Sequence, residues 1–166
     1  DRDWGAGKVL REHDARRRTA LPDPTPAEAP MIMAHMQVLP SWIDYNGHMT
    51  ESRYLFASSE TTDAFLRFIG ADMDYVKSGF SYYTAETHIM HLGEAKLGDR
   101  LTGTIQILSS DEKRIHAFIG IQRGDEMVAS LEQMFLHVDM KASRASPAAP
   151  EVLSKLAPIA KAHETL

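Results

Sequence analysis

Between Ser81 and Met140 the sequence carries four segments of strand character: Ser81–Leu92, Arg100–Ser109, Arg114–Arg123 and Met127–Met140. Each is rich in Ile, Thr, Tyr, Phe and Val, and each alternates. In the third, Ile115, Ala117, Ile119 and Ile121 fall on one side, with Arg114, His116 and Gln122 on the other. The stretches between them are turn-like: Gly98-Asp99, residues 109–112 and residues 124–126. Connections that short demand antiparallel neighbours, so the spacing predicts a meander of four long strands.

An apolar sheet face has to be covered, and the chain supplies one element able to do so. Ser52–Ile69 has helical spacing, with Tyr54, Leu55, Thr61, Phe65, Phe68 and Ile69 on one broad stripe and Glu60, Asp63 and Arg67 opposite. Thr50 or Ser52 is placed to cap its start, and Gly70 to end it. A short helical turn is expected over Asp72–Lys77, and a short strand over His35–Trp42. The result is an α+β layer fold, an antiparallel sheet curled around one long helix. A chain of 166 residues, 43% of them hydrophobic, can build such a core unaided.

The two ends read differently. The opening DRDWGAGKVLREHDARRR is charged and helix-like, and LPDPTPAEAP places four prolines in ten residues. Residues 1–30 are therefore expected to be the tail of a preceding domain and a Pro-rich linker, residues 31–145 the folded domain, and residues 146–166 a helical tail broken at Pro158. The sequence has no cysteine, which excludes disulfides, a Cys nucleophile and Cys-ligated metal. A net charge of -5 argues against nucleic acid, and Arg16-Arg17-Arg18 reads as a solvated charge run. No apolar run matches a membrane span or a signal peptide, and the cytoplasm is the expected compartment.

Chemistry concentrates in Trp42-Ile-Asp-Tyr-Asn-Gly-His-Met-Thr-Glu-Ser-Arg-Tyr54. Asp44, Asn46 and His48 cluster on a Gly-containing turn that leads into a helix N-terminus. Free N–H groups there can polarise a carbonyl, and a carboxylate beside them can serve as base or nucleophile. Equally, Asp and Asn before a helix commonly make Asx-turns.

The segment resembles the D-x-N-G-H-V-N-N-x-x-Y signature of the 4-hydroxybenzoyl-CoA-thioesterase-like hotdog family, from Asp44 to Tyr54, and the resemblance extends over Met36–Met140. It implies a hotdog fold, acyl-CoA thioester hydrolysis, at least a homodimer, and Asp44 as nucleophile or general base, with Asn46 and His48 orienting it or the water. CoA is then part of the substrate, and no metal or redox cofactor is required. Met49-Thr50-Glu51 stands where the family commonly has Val-Asn-Asn. A narrower resemblance runs through WIDYNGHMTESRYL, SYYTAETHIMHLGEAKLGDRL and EQMFLHVDMKASR. It is to the thioesterase domains fused behind bacterial L-carnitine dehydrogenases, which implies betainyl-CoA as substrate and an upstream dehydrogenase as partner. A dimerising module without catalysis is the alternative.

A quaternary ammonium is held by aromatic faces. Trp42, Tyr45, Phe80, Tyr82 and Tyr83 are the candidate walls, although alternation turns Tyr82 and Tyr83 to opposite faces. Thr50, Glu86 and His88 are further substrate-binding candidates, and Arg53, Lys96 and Arg100 could meet the phosphates of CoA. Glu60 reads as structural. Ser58-Ser59 lacks the setting of a serine nucleophile.

Overall fold

The computed structural model describes residues 29–164, so the expectations for the first 28 residues lie outside the described residues. Strand β1 spans Met31–Gln37, and a 3₁₀ turn follows at Pro40–Trp42. Helices α1, Glu51–Phe68, and α2, Met73–Lys77, come next. Strands β2, Phe80–His91, β3, Arg100–Ser110, β4, Arg114–Arg123, and β5, Glu126–Asp139, form the bulk of the sheet. The short β6, Arg144–Ala145, and helix α3, Pro150–His163, end the described chain.

The sheet order is β1-β3-β4-β5-β2, every pairing antiparallel, with β6 beside β5. This corrects the predicted four-strand meander. β3, β4 and β5 follow one another as hairpins, but β2 pairs with β5 rather than with β3. Gly98-Asp99 is only the end of the connection, which runs over residues 92–99 and carries the chain from one edge of the sheet towards the other. A segment of eight residues is long enough for such a crossing, and a two-residue turn is not. The sheet curls around α1, the arrangement expected of a hotdog fold.

Ile115, Ala117, Ile119 and Ile121 are buried as the alternation predicts, and they share the core with Phe65, Ile69, Leu101, Ile105 and Leu131. Helix and sheet come closest at Gly103, where an added Cβ would sit 1.9 Å from Thr61 Oγ1. Ser58, buried in α1, donates to Gln133 Oε1 at 3.1 Å, and Gln133 Nε2 donates to Thr87 Oγ1 at 3.0 Å. That chain satisfies polar groups that burial would otherwise leave unpaired. Leu55, expected on the apolar stripe, is exposed.

Gly70 ends α1 with φ +92°. Its N–H donates to Arg67 O, and that of Ala71 to Leu66 O, which is the paired closure of a Schellman motif. The expected strand at His35–Trp42 begins and ends earlier. Proline occupies the first turn of the 3₁₀ helix at Pro40, where its missing N–H costs nothing. Helix α3 does not break at Pro158. That residue is exposed, so the carbonyl it frees can be hydrated, while Val152, Leu156, Ile159 and His163 bury the opposite face. His163 Nδ1 accepts the N–H of Ile107 at 2.9 Å. The pairing of β1 with β3 stops at Met31 opposite Ile105, so the helix takes over where that strand runs out.

A candidate thioester site at the start of the central helix

A tight reversal joins the 3₁₀ turn to α1. Ile43 and Met49 face each other across an isolated bridge, Asp44 N–H donates to His48 O at 3.0 Å, and Gly47 N–H donates to Asp44 O at 3.0 Å. Gly47 sits at φ +82°, a left-handed backbone that glycine adopts without strain. Within the turn, Asn46 N–H donates to Asp44 Oδ1 at 2.8 Å. This Asx-turn holds one carboxylate oxygen and leaves the other free to act. Asp44, Asn46 and His48 are thus brought together, with Asn46 contributing its backbone N–H.

The turn runs directly into α1. Thr50 is the N-cap, yet its side chain makes no capping hydrogen bond. The N–H groups of Glu51 and Ser52 are therefore not taken by that hydroxyl, while Arg53 N–H donates to Thr50 O at 2.9 Å, and the positive end of the helix dipole follows directly on the Asp44–His48 turn.

The connection over residues 92–99 passes across this corner and is fastened at several points. Tyr54 Oη donates to Gly93 O at 3.3 Å and accepts from Ala95 N–H at 3.0 Å. Burial raises the Tyr54 hydroxyl above its ordinary value, against the opposing pull of the Ala95 N–H, so it remains a donor. Met49 N–H donates to Ala95 O at 2.8 Å. On the far side, Arg123 Nη1 donates to Glu94 O at 2.6 Å and to Asp99 Oδ2 at 3.3 Å, while its Nη2 pairs with Glu126. Glu94 Oε2 lies 3.0 Å from His48 Nε2. Sequence reasoning missed Glu94, because the signal is its place on a crossing whose route only the sheet order reveals.

The proposed aromatic walls do not converge. Trp42 is 2% exposed and packs edge-on against Phe56 at 5.5 Å. The Arg53 guanidinium already lies over both rings, at 5.9 and 5.6 Å. Trp42 is therefore a core residue at the base of the turn, and the bulk of its indole, not its position in sequence, decides this. Tyr82 is buried against His137 with ring centroids 5.0 Å apart. It lies nine residues along β2 from His91, whose ring meets Tyr54 at 5.1 Å. That separation is about 30 Å of strand, so neither Tyr82 nor Tyr83 reaches the Asp44 turn of the same chain. Tyr45 is 97% exposed on the turn itself.

Glu86 and His88 also leave the site. Thr87, between them, faces α1 through Gln133, so both point to the outer face of the sheet. There His88 stands opposite Glu132, which pairs with His116 at 2.7 Å. Among the described residues, no three or more His, Asp or Glu side chains are grouped to hold a metal, and no helix is long and apolar enough to cross a membrane.

With this geometry in place, relatives define the class. Residues 38–156 match the thioesterase-like superfamily, and the chain belongs to that family. It is 50% identical over 98% of its length to the L-carnitine dehydrogenase/betainyl-CoA thioesterase of Rhizobium meliloti, of which it spans 34%. It is 39% identical to the betainyl-CoA thioesterase of Pseudomonas aeruginosa, covering 78% of this chain and 83% of that one. A Staphylococcus aureus protein solved in complex with CoA shares the fold, with a TM-score of 0.77 at 23% identity over 84% of this chain and 90% of the other.

Proposed function

We propose that this chain hydrolyses acyl-CoA thioesters at the Asp44 turn, with betainyl-CoA as substrate and glycine betaine and CoA as products. The observation that carries the reading is the junction itself: a carboxylate held by one oxygen in an Asx-turn, just before a helix start whose N-cap hydroxyl leaves the N–H groups of Glu51 and Ser52 to a ligand. The thioester carbonyl oxygen accepts hydrogen bonds from those amides, which stabilise the negative charge that develops on it. The free oxygen of Asp44 either takes a proton from the attacking water or attacks the carbonyl carbon itself. The C–S bond then breaks and the CoA thiolate leaves, taking the proton held by Asp44 in the first route; in the second, water hydrolyses the acyl–Asp44 anhydride, which returns the carboxylate and supplies the proton the thiolate takes up. The Asn46 N–H holds the carboxylate in place, and His48, across the turn, orients the carboxylate or the attacking water.

Betainyl-CoA is favoured by the relatives from Rhizobium meliloti and Pseudomonas aeruginosa, whose names carry that activity. Tyr45 is the aromatic ring at the turn that remains open to a trimethylammonium group. Asp44, Glu51 and Glu94 add negative charge around the helix start. An upstream dehydrogenase, as in the Rhizobium meliloti relative, is the fused partner this reading entails, and the cytoplasm its setting. The working unit is a homodimer: β2 is a twelve-residue strand whose outer side pairs with no other strand among the described residues, and a second copy would cover it.

The test is thiol release from betainyl-, acetyl- and butyryl-CoA by the wild type and by Asp44→Asn, which keeps the oxygen that accepts from Asn46. The expected result is selective hydrolysis of betainyl-CoA, reduced about 100-fold or more in the variant. Full activity in Asp44→Asn would remove the assignment.

A further inference from the structure

The Glu94–His48 contact joins the crossing segment to the turn and is not explained by stability. Side chains this exposed, 34% for His48 and 66% for Glu94, gain little from pairing in water. Their meeting is nonetheless arranged from both sides. Arg123 grips the Glu94 carbonyl, Tyr54 bridges Gly93 and Ala95, and Met49 holds Ala95. Gly93 has no side chain to hold the segment away: a Cβ there would lie 2.8 Å from Glu126 Oε1. The one residue fixed between these anchors is Glu94, and its carboxylate lies 3.0 Å from Nε2 of His48.

We propose that Glu94 is a positioning residue for the thioesterase reaction, accepting the Nε2 hydrogen of His48 and thereby setting the tautomer and orientation of the ring beside Asp44. The inference rests on the reading of the Asp44 turn given above. A carboxylate can only accept from an imidazole nitrogen, so the Nε2 that faces it must carry hydrogen. In the neutral ring Nδ1 is then the lone-pair nitrogen, free to accept a hydrogen bond from water or substrate. Without Glu94 the two tautomers would compete and the ring could turn, which loosens the group that orients Asp44. Glutamine at the same position keeps an acceptor oxygen, so the effect depends on hydrogen bonding more than on charge.

Two measurements on the full chain test this, with Glu94→Ala and Glu94→Gln. Long-range ¹⁵N–¹H spectra of the His48 ring should show Nε2–H in the wild type and in Glu94→Gln, and a mixed tautomer in Glu94→Ala. Betainyl-CoA hydrolysis should lose about tenfold in kcat in Glu94→Ala, with KM unchanged, and return to within about threefold in Glu94→Gln. An unchanged tautomer and unchanged kcat in Glu94→Ala would overturn the proposal. So would a loss of kcat that Glu94→Gln fails to restore, or a rise in KM with no change in kcat. Failure of the underlying site reading is visible separately: Asp44→Asn would then hydrolyse as fast as the wild type, whatever Glu94 does.

Discussion

Two histidines at opposite ends of the sheet show how burial divides one side-chain chemistry into two uses. His137 is fully buried. Its Nδ1 donates to Ser146 O at 2.7 Å, its Nε2 accepts from Tyr75 Oη at 2.7 Å, and Phe80 stacks on the ring at 5.8 Å. The Tyr75 hydroxyl in turn accepts the Ala149 N–H at the start of α3. Every polar atom of the ring is committed, and the cluster ties α2, β2, β5 and α3 together. His48 sits half-buried on an open turn, with one nitrogen towards Glu94. The end around His137 is closed and structural, while the end around His48 is open and carries the proposed chemistry. An aromatic cluster in sequence is thus a poor guide to a binding cage when the rings can find one another.

The sharpest way to break the contrast is at the closed end. His137→Ala should lower unfolding free energy by about 3 kcal/mol or more in urea titration, because it leaves a cavity and strands the Tyr75 hydroxyl and the Ser146 carbonyl. Activity per folded molecule should hold. Tyr75→Phe keeps the ring and removes only the hydroxyl, so a smaller loss of about 1–2 kcal/mol is expected by the same titration.

Acid should separate the two ends further. Burial holds His137 below the ordinary histidine value, despite the opposing pull of the Ser146 carbonyl, and burial likewise lowers His163. The folded state therefore refuses protons that the unfolded chain accepts. Stability is fully present above about pH 6.5 and falls as pH drops below it, through the lowered folded values. Thermal melts between pH 8 and pH 5 should show the decline, with a shallower slope in His137→Ala. The smallest change in stability is expected at the open end. Tyr45→Ala should leave the melting temperature within about 1 °C, since an exposed side chain away from packing contributes little. It should still raise KM for betainyl-CoA several-fold without affecting butyryl-CoA. Equal effects on both substrates would remove Tyr45 from ammonium recognition.

Much of this molecule was legible in its sequence, and what escaped has a common cause. The bounds of β4 and the closure of α1 at Gly70 depend on local alternation and local backbone chemistry, and both stand as read. The Asp44–His48 turn is equally local. The neighbour of β2 is not: alternation tells which face is buried but not which strand lies alongside, and the turn signal at Gly98-Asp99 hid a longer crossing. The surroundings of Trp42, Glu86 and His88 escaped for the same reason. Each lies close in sequence to the turn or on the strand that follows the helices, and their surroundings are decided by partners 14 to 48 residues away. Glu94 was invisible until the crossing had a route.

That crossing also sets a timetable for assembly. Its anchors, Arg123 and Tyr54, belong to β4 and α1, and the segment itself starts where β2 has already paired with β5. Such contacts span large sequence separations and form only after the loops between them have closed. The Glu94–His48 meeting therefore waits on the closure of the loops that bring the helix, the crossing and β4 together. A partly folded chain can hold its hairpins and its helix and still lack the joined turn and crossing.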